Sequence, residues 1–315
     1  MQAVIRFGEA SCEDVAIAGG KGASLSRMVR AGLPVPPGFV VTTAAFTQCL
    51  AQQPHIEAQM ADLLNGIDAE DERNLTEVAE QIRRLILELP LPEHLAREIT
   101  TAYASLGDAP RVAVRSSAAA EDSATASFAG QQETYLNVQA GELLDCVRAC
   151  WASFFSPRAL FYRRHKGNLN DTTMAVVVQQ MIVPEKSGVL FTVHPVYGRT
   201  DQIVIESVWG LGESVVAGKV TPDHYVVDKA TGEVVTAVVA PQPIAIVPDE
   251  AGGGVREVEL TPEQATSRVL SDSELAELAG LGRRLEEHFG RPQDVEWGIA
   301  GGQVYLLQSR PVTTL

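Results

Sequence analysis

Four polar residues interrupt an apolar pattern near the end of the chain. In QDVEWGIAGGQVYLLQSRP (293–311), Asp294 and Glu296 precede a Gly-Gly pair, and Gln308 and Arg310 follow it. Residues i and i+2 of a strand share a face, as do directly opposed residues of an antiparallel pair. If Glu296 opposes Gln308, Asp294 opposes Arg310, and all four share one face, with Trp297 and Leu307 expected on the other. That register requires a three-residue connection, Gly301-Gly302-Gln303, or a bulge. A plain two-residue Gly301-Gly302 turn sets Glu296 opposite Leu307 and splits the set. A carboxylate beside an amide oxygen suits a hard cation, and Mg²⁺ takes few protein oxygens when phosphate oxygens complete its shell. Arg310 beside them would neutralise a transferring phosphoryl group. The plain alternative is a surface hairpin whose charges pair with one another.

Two cationic segments stand in the first half. Lys21 lies in AGGKGAS, which lacks the spacing of a Walker A loop. A lysine among glycines ahead of a helix still suits a phosphate, because the backbone approaches closely and the ammonium adds charge. The alternative is a turn with an exposed lysine. Arg115 opens the second segment, AVRSSAAAEDSATASFAGQQETYLNV (113–138). A guanidinium after a strand can hold phosphate oxygens bidentately, and a long run of small residues can fold over them or be an ordinary surface loop. VVVQQMIVP (176–184) is a strand with a polar pair inside it. It can offer backbone groups to an adenine edge or lie buried with one Gln outward; periodicity leaves both open. Cations, a metal-type acid and amide, and an arginine are the parts that phosphoryl transfer needs.

These residues require elements to hold them. GGKGASLSRMVRAGLPVPPGFVVTTAAF reads as a Gly-rich loop, a short helix stopped by Gly32 and Pro34, a Pro-rich turn and an apolar strand. Residues 56–105 carry helical periodicity with two breaks, one of them LPLP at 89–92. Leu144, Val147, Trp151 and Phe154 mark a further amphipathic helix, and Ser156-Pro157 opens another. From about 174 the sequence turns β-rich, with a tight turn in DKATGEV, a helix over 271–289 and the closing hairpin. The order predicts an α+β fold of two lobes, 1–175 and 176–315.

The chain of 315 residues is 45% hydrophobic, which is enough for two lobes with a real core. Its net charge of −15 argues against nucleic acid as a partner. No apolar run reaches the ~18 residues of a membrane span, and the N-terminus does not read as a signal peptide. The four cysteines, Cys12, Cys49, Cys146 and Cys150, read as buried free thiols in a reducing cytoplasm.

GGKGASL, GLPVPPGFVVTTAAF, AVRSSAAAEDSATASFAGQQETYLNV, SGVLFT, VWGLGESVVAGKVTPDHYVV and QDVEWGIAGGQVYLLQSRP occur in order over nearly the whole chain. Together they resemble the nucleotide-binding domain of the pyruvate phosphate dikinase, phosphoenolpyruvate synthase and rifampin phosphotransferase family. The resemblance implies an ATP-grasp fold with ATP in a cleft between two lobes, the second carrying a metal-binding hairpin. It implies splitting of ATP to AMP and phosphate, with a phosphoryl group passed to a histidine of a separate swivelling domain or subunit and on to an acceptor-binding domain or subunit. By motif, Lys21 and Arg115 hold the phosphates, and the loop around Gly130, Gln131 and Thr134 covers them. Gln179, Gln180, Met181 and Val183 line the adenine pocket. Glu296 and Gln308 bind Mg²⁺ with Asp294 beside them, and Arg310 meets the transferring phosphoryl.

Two positions depart from the family pattern. Ala119 stands where a threonine is common, which removes a hydroxyl from the phosphate loop. His194 in FTVHP reads as a structural or rim histidine rather than the relay histidine. None of His55, His94, His165, His194, His224 or His288 sits in a motif like the relay histidine's. The sequence stops at RPVTTL without the swivelling domain's motif, which fits a domain of a longer protein or a stand-alone subunit. The reading that follows is a phosphoenolpyruvate synthase type of module. The alternatives are the ATP-binding part of a rifampin phosphotransferase or a phenylphosphate synthase-like enzyme, or a non-catalytic nucleotide-binding module.

Overall fold

The computed structural model describes residues 2–68, 71–118, 133–165, 174–216 and 218–313. The chain divides into two compact units, Met1–Ser26 with Pro37–Gln180, and Arg27–Pro36 with Met181–Leu315. Composition changes once along the sequence, whereas the second unit also takes in a ten-residue segment from the first quarter of the chain.

The first unit is built on strands β1 (Val4–Arg6), β2 (Gly38–Val41), β3 (Val112–Ala118), β4 (Thr134–Val138) and β5 (Met174–Gln180), in the antiparallel order β1-β2-β5-β3-β4. Its helices are α1 (Val15–Arg30, entering the second unit at its end), α2 (Thr43–Ala51), α3 (Pro54–Asn65), α4 (Glu72–Leu87), α5 (Glu93–Ala104), α6 (Leu143–Ser153) and α7 (Pro157–His165). The predicted periodic stretch is therefore three helices with two breaks. Asp71 caps α4 by accepting from the Arg73 and Asn74 backbone N–H groups, and Leu75, Val78, Ala79, Ile82 and Ile86 form its buried stripe. That stripe joins Phe46, Trp151, Phe155, Val112, Val114, Val176 and Val178 in one core over one face of the sheet. Every described residue of β3 is buried, so its other face is covered as well. Cys12, Cys49 and Cys150 are buried and free, and Cys146 is half-buried. Burial pushes the Cys49 and Cys146 thiols up to about 11, which keeps them protonated at neutral pH.

The second unit holds β6 (Lys186–Phe191), β7 (Gln202–Trp209), α8 (Glu213–Val216), β8 (Asp223–Asp228), β9 (Val234–Val238), β10 (Ile244–Pro248), β11 (Val255–Glu259), α9 (Pro262–Ala265), α10 (Asp272–Phe289), β12 (Gln293–Ala300) and β13 (Gln303–Pro311). Among the described residues the main sheet runs β13-β12-β6-β7-β8-β9, and β10 pairs with β11 beside it. The architecture is a mixed α+β fold. Leu275, Leu278, Leu281 and Leu285 form the buried stripe of α10, as their spacing predicts, and Gly290 ends the helix in the left-handed conformation. Ser271 and Glu274 form a reciprocal capping box at its start. Glu274 also takes two 2.8 Å hydrogen bonds from Lys186 Nζ, tying α10 to β6.

Burial raises the Glu274 carboxyl, but Lys186 and the Ser271 donors outweigh it and hold the group below the usual glutamate range. Because the folded value is depressed, the stabilisation is complete above the unfolded value and is lost as pH falls through the folded one. Glu274→Ala is expected to cost about 1–3 kcal/mol at pH 7, since it removes both the cap and the ion pair. The loss should shrink in unfolding measured below pH 4, and an equal loss at both pH values would refute the assignment.

Candidate functional site

In the first unit the glycine-rich stretch is not a loop. It lies inside α1, which breaks at Gly19 (φ 68°, ψ 174°) and resumes. A side chain at Gly19 would put its Cβ 2.1 Å from the Ser117 carbonyl oxygen, so glycine is required both for the backbone angle and for the approach to β3. Ser117 Oγ donates to the Ala18 carbonyl at 2.9 Å and accepts from the Gly22 backbone N–H at 3.2 Å. Lys21 Nζ donates to the Ser116 carbonyl at 3.1 Å, which fixes the ammonium beside β3. Arg115, buried, sits two residues before Ser117 and therefore on the same face.

The register of the neighbouring strands extends this face. Arg115 opposes Thr134 on β4, while Gln179 on β5 opposes Ala113. Lys21, Arg115, Thr134 and Gln179 thus belong to the side of the sheet that α1 covers. Gln180 does not: it opposes Val112, a residue of the helical core, and its backbone N–H donates to the Pro37 carbonyl at 2.8 Å. Met181 and Val183 fall in the second unit, with Met181 half-buried and Val183 exposed. Gly130 and Gln131, together with Ala119 and the rest of 119–132, lie outside the described residues.

In the second unit the hairpin has the register that brings the four polar residues together. Gly301 (φ 58°) and Gly302 (φ 73°) make a two-residue turn with Ala300 opposite Gln303. Carried on unbroken, that turn would set Glu296 against Leu307. A bulge intervenes: Trp297 opposes Leu306, Glu296 opposes Gln308, and Leu307 is the additional residue. Asp294 then opposes Arg310, and all four polar residues share a face. Trp297 is on the other face, fully buried, with Val295 and Ser309. Leu307 is not there, contrary to the simple alternation. Its Cδ1 lies 3.6 Å from the place of a Gly298 Cβ, on the polar side. Ser309 Oγ donates to Gln293 Oε1 at 2.8 Å beneath the hairpin, which holds the shifted register from the buried side.

Arg310 Nε donates to Asp294 Oδ2 at 2.9 Å. Burial raises the Asp294 carboxyl above the ordinary aspartate range; Arg310 pulls it down without cancelling the effect, and the charge of Glu296 adds to the rise. A cation placed here would relieve both the burial and the carboxylate repulsion. Among the described residues no group of three or more His, Cys, Asp or Glu could hold a metal alone. Glu296, Gln308 and Asp294 instead offer a small oxygen set of the kind that suits Mg²⁺ when phosphate completes the shell. His194 is buried, and its Nδ1 accepts from the Val196 N–H at 3.4 Å within its own turn, which is a structural role.

Glu206 on β7 and His224 on β8 lie in the same cross-strand row as Glu296 and Gln308. The row is drawn from five separate strands, so it is not legible along the sequence.

Comparison with known proteins bears on the whole chain. The family model described as "Pyruvate phosphate dikinase, AMP/ATP-binding domain" matches residues 15–315. A "Probable phosphoenolpyruvate synthase" of Methanothermobacter thermautotrophicus is 46% identical over 98% of this chain and 46% of its own length. The "Phosphoenolpyruvate synthase" of Pyrococcus furiosus is 40% identical over 98% of this chain and 43% of its own. A "Rifampicin phosphotransferase" of Streptomyces sviceus is 43% identical over 99% of this chain and 36% of its own. The chain therefore spans less than half the length of these curated relatives. A D-alanine–D-alanine ligase of Helicobacter pylori matches in structure over 70% of this chain and 47% of that one, at 12% identity and a TM-score of 0.33, too distant to bear on the argument. The extent of the family match and the identities across nearly the full chain establish that this protein belongs to the pyruvate phosphate dikinase AMP/ATP-binding domain family.

Proposed function

We propose that this chain is the ATP-binding catalytic module of a phosphoenolpyruvate synthase type of enzyme, with an ATP-grasp fold. The observation that carries the reading is the bulged hairpin, which aligns Glu296 with Gln308 and Asp294 with Arg310 in a member of this family. Lys21 and Arg115 hold phosphate oxygens, and Thr134, Gly130 and Gln131 cover them. Gln179, Gln180, Met181 and Val183 meet the adenine, Gln180 through its backbone. Glu296 and Gln308, with Asp294 beside them, would hold Mg²⁺, which supplies charge neutralisation and alignment of the phosphates when bound. Arg310 exchanges its bond to Asp294 for the transferring phosphoryl, stabilising charge where it develops.

The net reaction is ATP, a histidine and water giving AMP, inorganic phosphate and phosphohistidine. The histidine resides on a swivelling domain or subunit, which delivers the group to the acceptor's domain. The near-equal identities to a phosphoenolpyruvate synthase and to a rifampicin phosphotransferase keep a second acceptor, a rifamycin, alongside pyruvate.

The test uses ATP labelled at the β-phosphate. The 315-residue chain alone is expected to bind ATP and release AMP slowly, because an unpositioned water forfeits most of the advantage of proximity. Adding a protein that carries the swivelling histidine domain should restore turnover and place acid-labile label on that protein. Stable label on a histidine of this chain, with full turnover and no partner, would overturn the relay. Absence of ATP binding by the wild-type chain would favour a non-catalytic module.

A further inference from the structure

The break in α1 is spanned by a single hydroxyl. In a regular helix the Ala18 carbonyl and the Gly22 N–H, four residues apart, are partners of one another. Between them the chain leaves helical geometry at Gly19 (φ 68°, ψ 174°). Ser117 Oγ meets both groups: it donates to the Ala18 carbonyl at 2.9 Å and accepts from the Gly22 N–H at 3.2 Å. One side chain from β3 thus bridges a helical donor–acceptor pair across the kink, and insertion of this kind is a known cause of helix bending. The approach depends on Gly19, where a Cβ would lie 2.3 Å from Ser117 Oγ.

Lys21 lies inside the bridged segment, one residue before Gly22. Its Nζ donates to the Ser116 carbonyl at 3.1 Å. Strand β3 therefore holds the backbone on both sides of Lys21 through Ser117, and the ammonium through Ser116. Arg115 is on the same strand and shares the face of Ser117, so both cations are referred to one element. Ser117 is fully buried, which shields the bridge from competing water. A second hydroxyl meets the same helix before the break: Thr43 Oγ1 donates to the Ala16 carbonyl at 2.8 Å. That bond ties α1 to α2 without involving residues 18–22.

We propose that Ser117 is a positioning residue that acts through Lys21, setting where the ammonium meets the nucleotide's phosphates. The inference rests on the reading above, in which Lys21 holds phosphate oxygens. The position requires a group that donates and accepts at once, which a hydroxyl does and a methyl does not. Alanine at 117 takes the bridge from the Ala18 carbonyl and the Gly22 N–H together. The segment between them then turns about Gly19, the residue with the widest backbone freedom, and carries Lys21 away from its place. Ser117 itself makes no contact with the phosphates.

The experiment is a double-mutant cycle on the full chain, read by calorimetric titration with ATP in Mg²⁺ and by thermal midpoints. Lys21→Ala is expected to weaken ATP binding about 10- to 100-fold, the range for hydrogen bonds to a charged group. Ser117→Ala should weaken it about 3- to 30-fold, and should add nothing further in the Lys21→Ala background. A merely structural serine would weaken binding by the same factor in both backgrounds. Thr43→Ala, which removes the other hydroxyl on α1, should lower the midpoint and leave ATP affinity unchanged. If Ser117→Ala does not fold, Ser117→Cys keeps a weak donor and acceptor of similar size, and its smaller loss should likewise vanish without Lys21. Losses that multiply in the double variant, or a wild-type affinity in Ser117→Ala, would overturn the positioning role and leave ATP binding at Lys21 intact. A Lys21→Ala chain that binds ATP as wild type does would overturn the parent assignment of Lys21, and this inference with it.

Discussion

Replacing Glu296 by Gln should lower ATP-dependent phosphorylation of the histidine partner by about 10²-fold or more. The substitution removes a formal charge from the proposed Mg²⁺ ligand pair but leaves the rung with Gln308 and the neighbouring Arg310–Asp294 bond in place. Glu296 is half-buried on the open face and takes no part in the core, so stability should change by no more than about 1 kcal/mol. The measurements are the initial rate of labelled phosphohistidine formation over a range of Mg²⁺ concentrations and the thermal midpoint of each protein. Partial recovery at high Mg²⁺ would fit a weakened metal site. A wild-type rate at limiting Mg²⁺ would remove Glu296 from that site and the hairpin from the mechanism. Gln303→Ala, at the exposed end of the same hairpin, serves as the neutral control.

The second large effect is on stability and arises away from the chemistry. Asp223 at the start of β8 is fully buried. Its Oδ1 accepts from the Ala240 N–H at 3.0 Å, and its Oδ2 accepts from the Val269 N–H at 2.9 Å and the Tyr225 hydroxyl at 2.8 Å. One carboxylate thus joins β8 to the segment before β10 and to the segment before α10. Burial first, and Asp223 second, push the Tyr225 hydroxyl up to about 12, which keeps it a donor throughout the working range. Asp223→Asn retains the shape but has one acceptor oxygen, so its amide nitrogen must face at least one buried N–H. The cost should be about 2–5 kcal/mol, since buried donors lose their acceptor and gain a repelling neighbour. At about 2–4 °C per kcal/mol for a unit of this size, the midpoint of the second unit should fall by roughly 5–15 °C. Tyr225→Phe, which deletes one donor and leaves the backbone bonds intact, should cost only about 1 kcal/mol. An Asp223→Asn protein with an unchanged midpoint would show that the node does not hold the unit together.

The sequence by itself determined the elements whose cause is local. The breaks between α3, α4 and α5, the Ser271–Glu274 start and Gly290 end of α10, and the turn at Gly301-Gly302 are all set by residues within a few positions of one another. The motif order also pointed to the family that the full-chain comparison establishes. For the hairpin, the sequence limited the register to two possibilities and could not choose between them. The turn is the two-residue kind, and the choice fell to a bulge at Leu307, with Ser309 bonded to Gln293 on the buried side. The tertiary structure likewise decided that the glycine-rich stretch is a broken helix, because Gly19 must yield to the Ser117 carbonyl of a strand far along the chain. It decided that Gln179 and Gln180 face opposite sides, and that Glu206 and His224 join the row of Glu296. The division follows from physics: capping, periodicity and turn chemistry act over short separations along the chain, whereas strand register and side-chain convergence are fixed by packing between segments that the sequence does not place side by side.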